Sequence, residues 1–202
     1  MEKFTLEEIH RYWRKICNRD FFNAPFNYVK VTPQRSWLLS KLTDNFFPNK
    51  NIKVLEIGCN VGRNLFVLLS KGYKDLSGVE INSEAVKHLK NSQLKDKVTI
   101  YSSSIEDCIG SFSDNQFDLV FTMAVLEHIH PDSEWVFKEI ARITKGLITI
   151  EDELNVSLRV FKRNYFDVFS KLDMKQEVMF NLEDLKDDDL YGFIARVFKK
   201  NA

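Results

Sequence analysis

The sequence predicts a doubly wound α/β fold in which helices cover both faces of a mostly parallel sheet. After residue 50, apolar stretches of strand length alternate with helical patterns, and this alternation is typical of βαβ units. Residues 54–64 (VLEIGCNVGRN) read as a buried strand, a tight glycine turn and the start of a helix. In an open α/β sheet, such a segment presents backbone N–H groups to a small ligand at the carboxyl ends of the strands.

Two helices are predicted before the sheet begins. Thr5 and Glu8 have the spacing of a capping box, and apolar residues recur at helical spacing over residues 5–19. Thr32 and Pro33 start a second helix that runs to about residue 45. We expect a single domain, residues 1–202, with residues 1–45 as a helical cap and residues 50–202 as the core.

A seven-stranded, Rossmann-like sheet is predicted for the core. Its first five strands are expected at residues 53–57, 75–80, 97–101, 117–122 and 146–151. Helices are expected at residues 63–71, 83–91, 103–109, 132–144 and 159–171. Two further strands, residues 174–181 and 191–199, flank an acidic turn at residues 183–189 and predict a C-terminal antiparallel hairpin.

Composition argues against several classes of protein. The formal net charge is zero, so no overall attraction to nucleic acid or anionic membrane is expected. The three cysteines show no CxxC spacing, which argues against a zinc site or a disulfide framework. The N-terminus lacks the apolar stretch of a signal peptide, and no run of apolar residues is long enough to span a membrane. We therefore expect a cytoplasmic protein with free thiols.

The glycine turn restricts the choice of ligand. Gly58 and Gly62 are four residues apart with Asn60 between them, so the dinucleotide fingerprint G-x-G-x-x-G is absent. The lysine and hydroxyl residue of a phosphate-binding loop are absent as well. The turn therefore suits a ligand that needs close backbone approach and a few N–H donors. Glu56, just before the turn, would need a cationic partner if it is buried, and a ligand ammonium is one candidate.

Polar residues follow the next two predicted strands. Glu80 ends the second strand about 20 residues after the glycine turn, where a carboxylate can accept two ribose hydroxyls. Its alternative role is an acid that interacts with the dipole of the following helix. After the third strand, Ser104 and its neighbours can bond to an adenine edge while Ile105 packs on the ring. Ser104 can also be an ordinary N-cap, and both roles are compatible.

These segments, together with residues 117–129 (FDLVFTMAVLEHI), resemble class I S-adenosylmethionine-dependent methyltransferases over most of residues 50–202. The resemblance implies S-adenosyl-L-methionine as cofactor and S-adenosyl-L-homocysteine as product. It places the glycine turn near the methionine part, Glu80 on the ribose, and Ile81 and Ile105 on either side of the adenine. The implied cofactor-binding residues are Glu56, Gly58, Cys59, Asn60, Gly62, Asn64, Glu80, Ile81, Ser104, Ile105, Glu106, Met123 and Val125.

Two departures from common patterns accompany the resemblance. The family often has a third glycine where this chain has Asn64, and we expect this change to affect helix packing rather than cofactor binding. The Asn/Asp-Pro-Pro-aromatic motif of enzymes that methylate nucleic-acid bases is absent after the fourth strand. Base methylation is therefore disfavoured, and no nucleic-acid partner is expected.

Candidate catalytic and substrate-binding residues lie further along the chain. His128, and less so His130, can take a proton from a hydroxyl or amine, although Leu-Glu-His-Ile is frequent in the family where no base is known. The acids 151–153 can bind substrate, bind a metal, or form a solvated loop; no metal is required. We select His128 and Glu151 as catalytic candidates. The substrate-binding candidates are His128, Glu151, Glu153, Arg159, Arg163 and Tyr165.

Residues 159–165 (RVFKRNY) form a basic cluster that is either an anion site or a helix face that pairs with nearby acids. Residues 78–82 (GVEIN), 117–122 (FDLVFT) and the acidic strand end 151–153 followed by 161–164 (FKRN) also resemble small methyltransferases associated with pseudaminic acid and other bacterial surface-glycan biosynthesis. This narrower resemblance implies methyl transfer to a hydroxyl, amine or phosphate-type oxygen of a small molecule, such as a capsule precursor. The alternatives are a catalytically silent cofactor-binding partner of another methyltransferase, and a nicotinamide-dependent oxidoreductase.

Several residues of the predicted helical cap are candidates to close the crevice and exclude water: Tyr12, Trp13, Tyr28, Arg35 and Trp37.

Overall fold

A computed structural model describes residues 3–15, 24–30, 33–182 and 192–201. These residues form a seven-stranded sheet of order β3-β2-β1-β4-β5-β7-β6. The strands are β1 (Lys53–Ile57), β2 (Asp75–Glu80), β3 (Thr99–Ser102), β4 (Leu119–Met123), β5 (Gly146–Asp152), β6 (Met174–Asn181) and β7 (Phe193–Lys200). Strands β1 to β5 are parallel, and β7 is antiparallel to both β5 and β6. The predicted fold class is confirmed.

Helices pack on both faces of this sheet. They are α1 (Leu6–Lys15), α2 (Pro25–Lys30), α3 (Pro33–Phe46), α4 (Arg63–Ser70), α5 (Ser83–Lys90), α6 (Ile105–Cys108), α7 (Trp135–Ile143) and α8 (Tyr165–Ser170). One apolar core contains residues of α3, α4 and α5, and the other contains residues of α7 and α8. All positions of β4 and β5 are buried, as expected for central parallel strands covered on both faces.

The order of the strands determines where a ligand can bind. From β1 the chain proceeds outward to β2 and β3, and then crosses to β4 on the opposite side of β1. This reversal opens a crevice at the carboxyl ends of β1 and β4, where ligands bind in open α/β sheets. The glycine turn follows β1, and the segment that contains His128 follows β4.

Element boundaries differ from the predictions mainly near residues 159–171. The helix there begins only at Tyr165, because the Asn164 side chain accepts hydrogen bonds from the Phe166 and Asp167 N–H groups and caps it. β4 begins at Leu119 because Phe117 forms only an isolated bridge with Thr144. Parts of three predicted elements lie outside the described residues: positions 16–19 of the first helix, Thr32 and the acidic turn 183–189 with Tyr191.

Candidate cofactor and acceptor site

An open cleft lies at the carboxyl ends of β1, β2 and β4, and its empty volume of about 1010 Å³ includes solvent space at the mouth. Ten of the predicted site residues line it: Gly58, Asn60, Glu80, Ile81, Ser104, Ile105, Glu106, Met123, Val125 and His128. The structure thus brings together residues from the ends of β1, β2, β3 and β4.

The turn after β1 exposes backbone to the cleft. Gly58 has φ +72°, a left-handed conformation that favours glycine, and its N–H donates to the Val79 carbonyl. A Cβ atom at Gly58 would lie 2.5 Å from Val125 Cγ2, which belongs to the segment after β4. Asn60 is also left-handed, with φ +48°. The close approach of the two segments therefore requires glycine at position 58.

Glu80 is held at the end of β2 by its neighbours in the turns. Its side chain lines the cleft, and the residue is only 7% exposed. Oε2 accepts the Asn60 N–H and Oε1 accepts the Asn82 N–H, each at 2.7 Å. Burial raises the pKa of Glu80, and the hydrogen bonds from Asn82 and Asn60 oppose that shift. A carboxylate oxygen has more than one lone pair, so a fixed carboxylate can still accept ligand hydroxyls.

The cleft wall beside Glu80 suits a flat apolar ring. Ile81 and Ile105 both line it. Ser104 caps α6, since its Oγ accepts the Asp107 N–H and donates to Asp107 Oδ2 at 2.6 Å. Glu106 Oε1 lies 3.1 Å from His10 Nε2, so this predicted cofactor-binding residue is paired with a residue of α1.

Helix α1 contributes to the cleft from outside the sheet. Ile9, His10 and Trp13 line the cleft, and the Asn82 side-chain amide donates to the Trp13 carbonyl at 3.0 Å. The Trp13 ring lies 4.7 Å from the His128 ring. At the start of the chain, the Phe4 N–H donates to the Leu158 carbonyl, which attaches this region to the segment after β5.

Two cations and a phenol line the same cleft. Arg63 lies over the Tyr28 ring at 5.7 Å, and Arg35 lies over the Phe193 ring at 4.5 Å. Burial raises the pKa of Tyr28. Of the other two crevice-closing candidates, Tyr12 stacks with the Arg159 guanidinium and Trp37 is exposed under Lys41; neither lines the cleft.

Four predicted cofactor residues lie beneath the turn instead of in the cleft: Glu56, Cys59, Gly62 and Asn64. The Asn64 amide donates to Glu56 Oε1 at 2.7 Å, and Ser36 donates to Asn64 Oδ1 at 2.6 Å. Asn64 therefore supplies the polar partner that we expected from a ligand ammonium. Burial raises the pKa of Glu56 to about 8, and the Asn64 hydrogen bond opposes this rise.

His128 lies in the cleft but is a weak base. Its Nδ1–H donates to the Arg159 carbonyl at 2.8 Å, which leaves Nε2 as the nitrogen with the lone pair. Burial lowers the pKa of His128 to about 4. The imidazole is therefore neutral at neutral pH and can accept a hydrogen bond.

The structure does not bring the predicted acids of β5 to the cleft. Glu151 is fully buried, and its Oε2 accepts the N–H groups of Val125 and Leu126, both at 2.8 Å. Glu153 forms a buried two-bond ion pair with Arg196, at 2.7 and 2.9 Å. Both carboxylates bond to groups of the protein itself, and neither residue lines the cleft.

The predicted basic cluster is also dispersed. Arg163 donates to Glu134 at 3.1 Å and stacks over Phe137 and Phe161. Tyr165 is fully buried in the core beside Phe137 and Phe169. Arg159 stacks on Tyr12 outside the cleft lining. These three residues do not form an anion site together.

Sequence reasoning missed His10, Arg63 and Asn82, which line the cleft. Asn82 ends the same motif as Glu80, and Arg63 directly follows Gly62, so both had a positional signal. Nothing in the sequence pairs His10 with Glu106. Across the described ranges, no group of three metal-ligating side chains is placed to hold a metal ion. No helix in the part of the chain described here is both long and apolar enough to cross a membrane.

Part of the chain is similar to known methyltransferases. Residues 55–147 match a family described as a methyltransferase domain. The chain is 33% identical over 135 residues to a tRNA U34 carboxymethyltransferase of Helicobacter pylori (strain G27), covering 62% of this chain and 48% of that protein. It is 25% identical over 132 residues to the mitochondrial ubiquinone biosynthesis O-methyltransferase of Saccharomyces cerevisiae, covering 59% and 41%. The chain thus spans about half or less of the curated relatives it matches.

A solved structure with similar architecture contains the cofactor product. This Burkholderia thailandensis 1,6-didemethyltoxoflavin-N1-methyltransferase has 1,6-didemethyltoxoflavin and S-adenosylhomocysteine bound. It superimposes with a TM-score of 0.73 at 13% identity, covering 100% of this chain and 93% of that chain. This similarity shows the fold, and together with the match to a methyltransferase domain it supports S-adenosylmethionine as the cofactor.

The residues in the cleft fit this cofactor. Glu80 offers a carboxylate that two backbone N–H groups fix in the cleft lining, and Ile81 and Ile105 offer apolar walls. Among the described residues, the buried Asn60 Oδ1 has no hydrogen-bond partner, so it is an unused acceptor for a polar ligand.

Proposed function

We propose that the protein transfers a methyl group from S-adenosylmethionine to a hydroxyl, amine or phosphate-type oxygen of a small molecule. The observation that carries this proposal is the cleft in which Glu80, fixed by two backbone N–H groups, lies next to the exposed backbone of Gly58. In this assignment Glu80 binds the ribose and Ile81 and Ile105 enclose the adenine. Residues 1–45 act as a helical cap on a single domain.

The bound cofactor supplies a methyl carbon on a sulfonium sulfur, which is open to in-line attack. The chain's contribution is mainly position and exclusion of water. Trp13 of α1 and His128 after β4 meet over the cleft. Neutral His128 orients the methyl acceptor, because its Nε2 accepts a hydrogen bond from the hydroxyl or amine that is to be methylated. Its low pKa makes it a weak proton acceptor, so we assign His128 to the orientation of the methyl acceptor and not to removal of its proton.

Arg63, Arg35 and Tyr28 are assigned to anionic groups of the ligands. Both guanidinium groups line the cleft, and arginine binds carboxylate or phosphate in a bidentate manner. The carboxylate of the methionine part and an anionic acceptor are both suitable partners.

For the acceptor, we propose a bacterial surface-glycan or capsule precursor, such as a sugar or sugar nucleotide. The support is the narrower sequence resemblance, together with the zero net charge and the presence of α1 at the cleft, which narrows access for a polynucleotide. The second candidate is a tRNA, because the Helicobacter relative carries a tRNA-modifying name.

The test measures transfer of a labelled methyl group to three acceptor pools: sugars and sugar nucleotides, small phenols, and total tRNA. We expect label in the sugar pool and none in tRNA. Label in tRNA alone would overturn the small-molecule proposal. Binding of S-adenosylhomocysteine without transfer to any pool would favour the silent-partner alternative, and tight NAD binding without S-adenosylhomocysteine binding would favour the oxidoreductase.

A further inference from the structure

Residues 124–128 form a strained turn that shapes one wall of the cleft. Ala124 has φ +56°, which is uncommon for a residue with a side chain. Val125 lies directly against Gly58, and both line the cleft with His128. A strained conformation persists only where the surrounding structure holds it, so the groups behind this turn determine the position of the wall.

Two buried glutamates hold the turn in a reciprocal way. Glu151, on β5, accepts the N–H groups of Val125 and Leu126 with one oxygen, both at 2.8 Å. Glu127, in the turn, accepts the Asp152 N–H of β5 with its Oε2 at 3.2 Å. Strand β5 and the turn therefore each contribute one glutamate, and each glutamate binds the backbone of the other segment.

The surroundings of this pair provide little compensation for two negative charges. Within the described residues, no lysine or arginine lies within ion-pair distance of either carboxyl, since Arg196 pairs with Glu153 and Arg163 with Glu134. His128 Nε2 is 3.9 Å from Glu127 Oε1, and burial keeps that imidazole neutral, with a pKa of about 4. Asp152 adds a further acid nearby, and Tyr165 is a buried phenol.

We propose that Glu127 and Glu151 share one proton and act together as a positioning device, which fixes turn 124–128 against the cofactor. Glu151 carries the charge that the two N–H groups stabilise, and Glu127 carries the proton. This is consistent with the pKa of Glu127, which burial and the neighbouring Glu151 raise well above its ordinary value. Two ionised carboxylates in contact would repel each other, so loss of the proton loosens the turn. The inference rests on the proposed cofactor site.

The experiment is calorimetric titration of S-adenosylhomocysteine into wild type, Glu127→Gln and Glu151→Gln from pH 6.5 to 9.5. In wild type the dissociation constant increases as the shared proton is lost at high pH. Glu127→Gln keeps a donor toward Glu151 but has no proton to lose, so affinity at pH 7 stays within about threefold and this part of the pH dependence disappears. Glu151→Gln weakens acceptance of both N–H groups, so affinity falls about tenfold at every pH.

Glu56 requires a control because its pKa of about 8 lies within the pH range of the experiment. The profile is therefore also measured for Glu56→Gln, and the comparison is between each variant and wild type. Glu80 remains in all these proteins. Thermal unfolding at each pH checks that every sample is folded. Glu127→Leu is measured beside Glu127→Gln, because leucine has no N–H group to donate to Glu151.

A pH profile of Glu127→Gln identical to wild type would overturn the shared proton. Wild-type affinity in Glu151→Gln would overturn the positioning role. If Glu151→Gln does not fold, the comparison of Glu127→Gln with Glu127→Leu decides, because only the former should retain affinity. Absence of binding in wild type itself would instead overturn the proposed function.

Discussion

The ends of β2 and β5 use acidic residues in opposite ways. Glu80 ends β2 facing the cleft, and backbone N–H groups of adjacent turns hold it there. Glu151, near the end of β5, faces inward and holds the backbone of Val125 and Leu126, while Glu153 pairs with Arg196 of β7. An acid at a strand end can therefore be a ligand-binding group or a structural group.

The difference follows from the neighbours of each strand. Beyond β3, the edge strand next to β2, the sheet ends, and the glycine turn of β1 leaves open space in front of Glu80. β5 lies between β4 and β7, and the returning β7 brings Arg196 against Glu153. An acid that pairs with another group of the protein is no longer available to bind a ligand.

Breaking the Glu153–Arg196 pair should have the largest effect on stability. Glu153→Leu leaves a buried guanidinium without its ion partner, and we expect a loss of about 3–5 kcal/mol in the free energy of unfolding. Denaturant unfolding measures this loss. The double variant Glu153→Leu/Arg196→Met should recover most of it; failure of this recovery would contradict a mainly structural role for the pair.

Glu56 should make stability dependent on pH. Its folded-state pKa, about 8, is above the ordinary value of 4.5, so the folded protein favours the protonated, neutral form of the Glu56 carboxyl. This contribution is fully present below pH 4.5 and is lost as the pH rises to about 8, a loss on the order of a few kcal/mol. Unfolding of wild type and Glu56→Gln at pH 5.5 and 8.5 checks it. An equal pH dependence in the two proteins would exclude Glu56 as its source.

Gly58→Ala should disturb the close approach of the two turns. The left-handed backbone and the contact of the new Cβ with Val125 together cost about 1–3 kcal/mol. Thermal unfolding measures the change, and Gly72→Ala is a matched control, since Gly72 is also left-handed but its Cβ would contact nothing within 4 Å. The two substitutions should differ by the contact alone, and adding Val125→Ala to Gly58→Ala should remove that difference.

The fold and the Glu80 side of the cleft were predictable because their signals are local. Strand alternation determines the sheet, and Gly58, Glu80, Ser104 and Ile105 all follow strand ends that meet at one edge. The roles of Glu151 and Glu153 were not predictable in this way. Their partners are the N–H groups of a strained turn and an arginine 43 residues further along the chain, and neither partner has a sequence pattern.

Glu56 and Asn64, which lie beneath the glycine turn, were predictable only in part. The sequence predicted that Glu56 would need a partner, but a ligand ammonium and a protein amide both satisfy that need. Ser36 of α3 fixes the Asn64 carbonyl oxygen, which leaves the Asn64 amide to donate to Glu56. Only the packing of α3 and α4 decides between the two partners.

Titration of S-adenosylhomocysteine into wild type and Glu80→Ala tests the central claim most directly. We predict that wild type binds and that Glu80→Ala loses about 1–3 kcal/mol of binding free energy, because charge-assisted hydrogen bonds to the ribose disappear. Because Glu80→Ala also loses the hydrogen bonds from the Asn60 and Asn82 N–H groups, circular dichroism is used to check that the variant is folded. Unchanged affinity in folded Glu80→Ala would contradict the assignment of the ribose to Glu80.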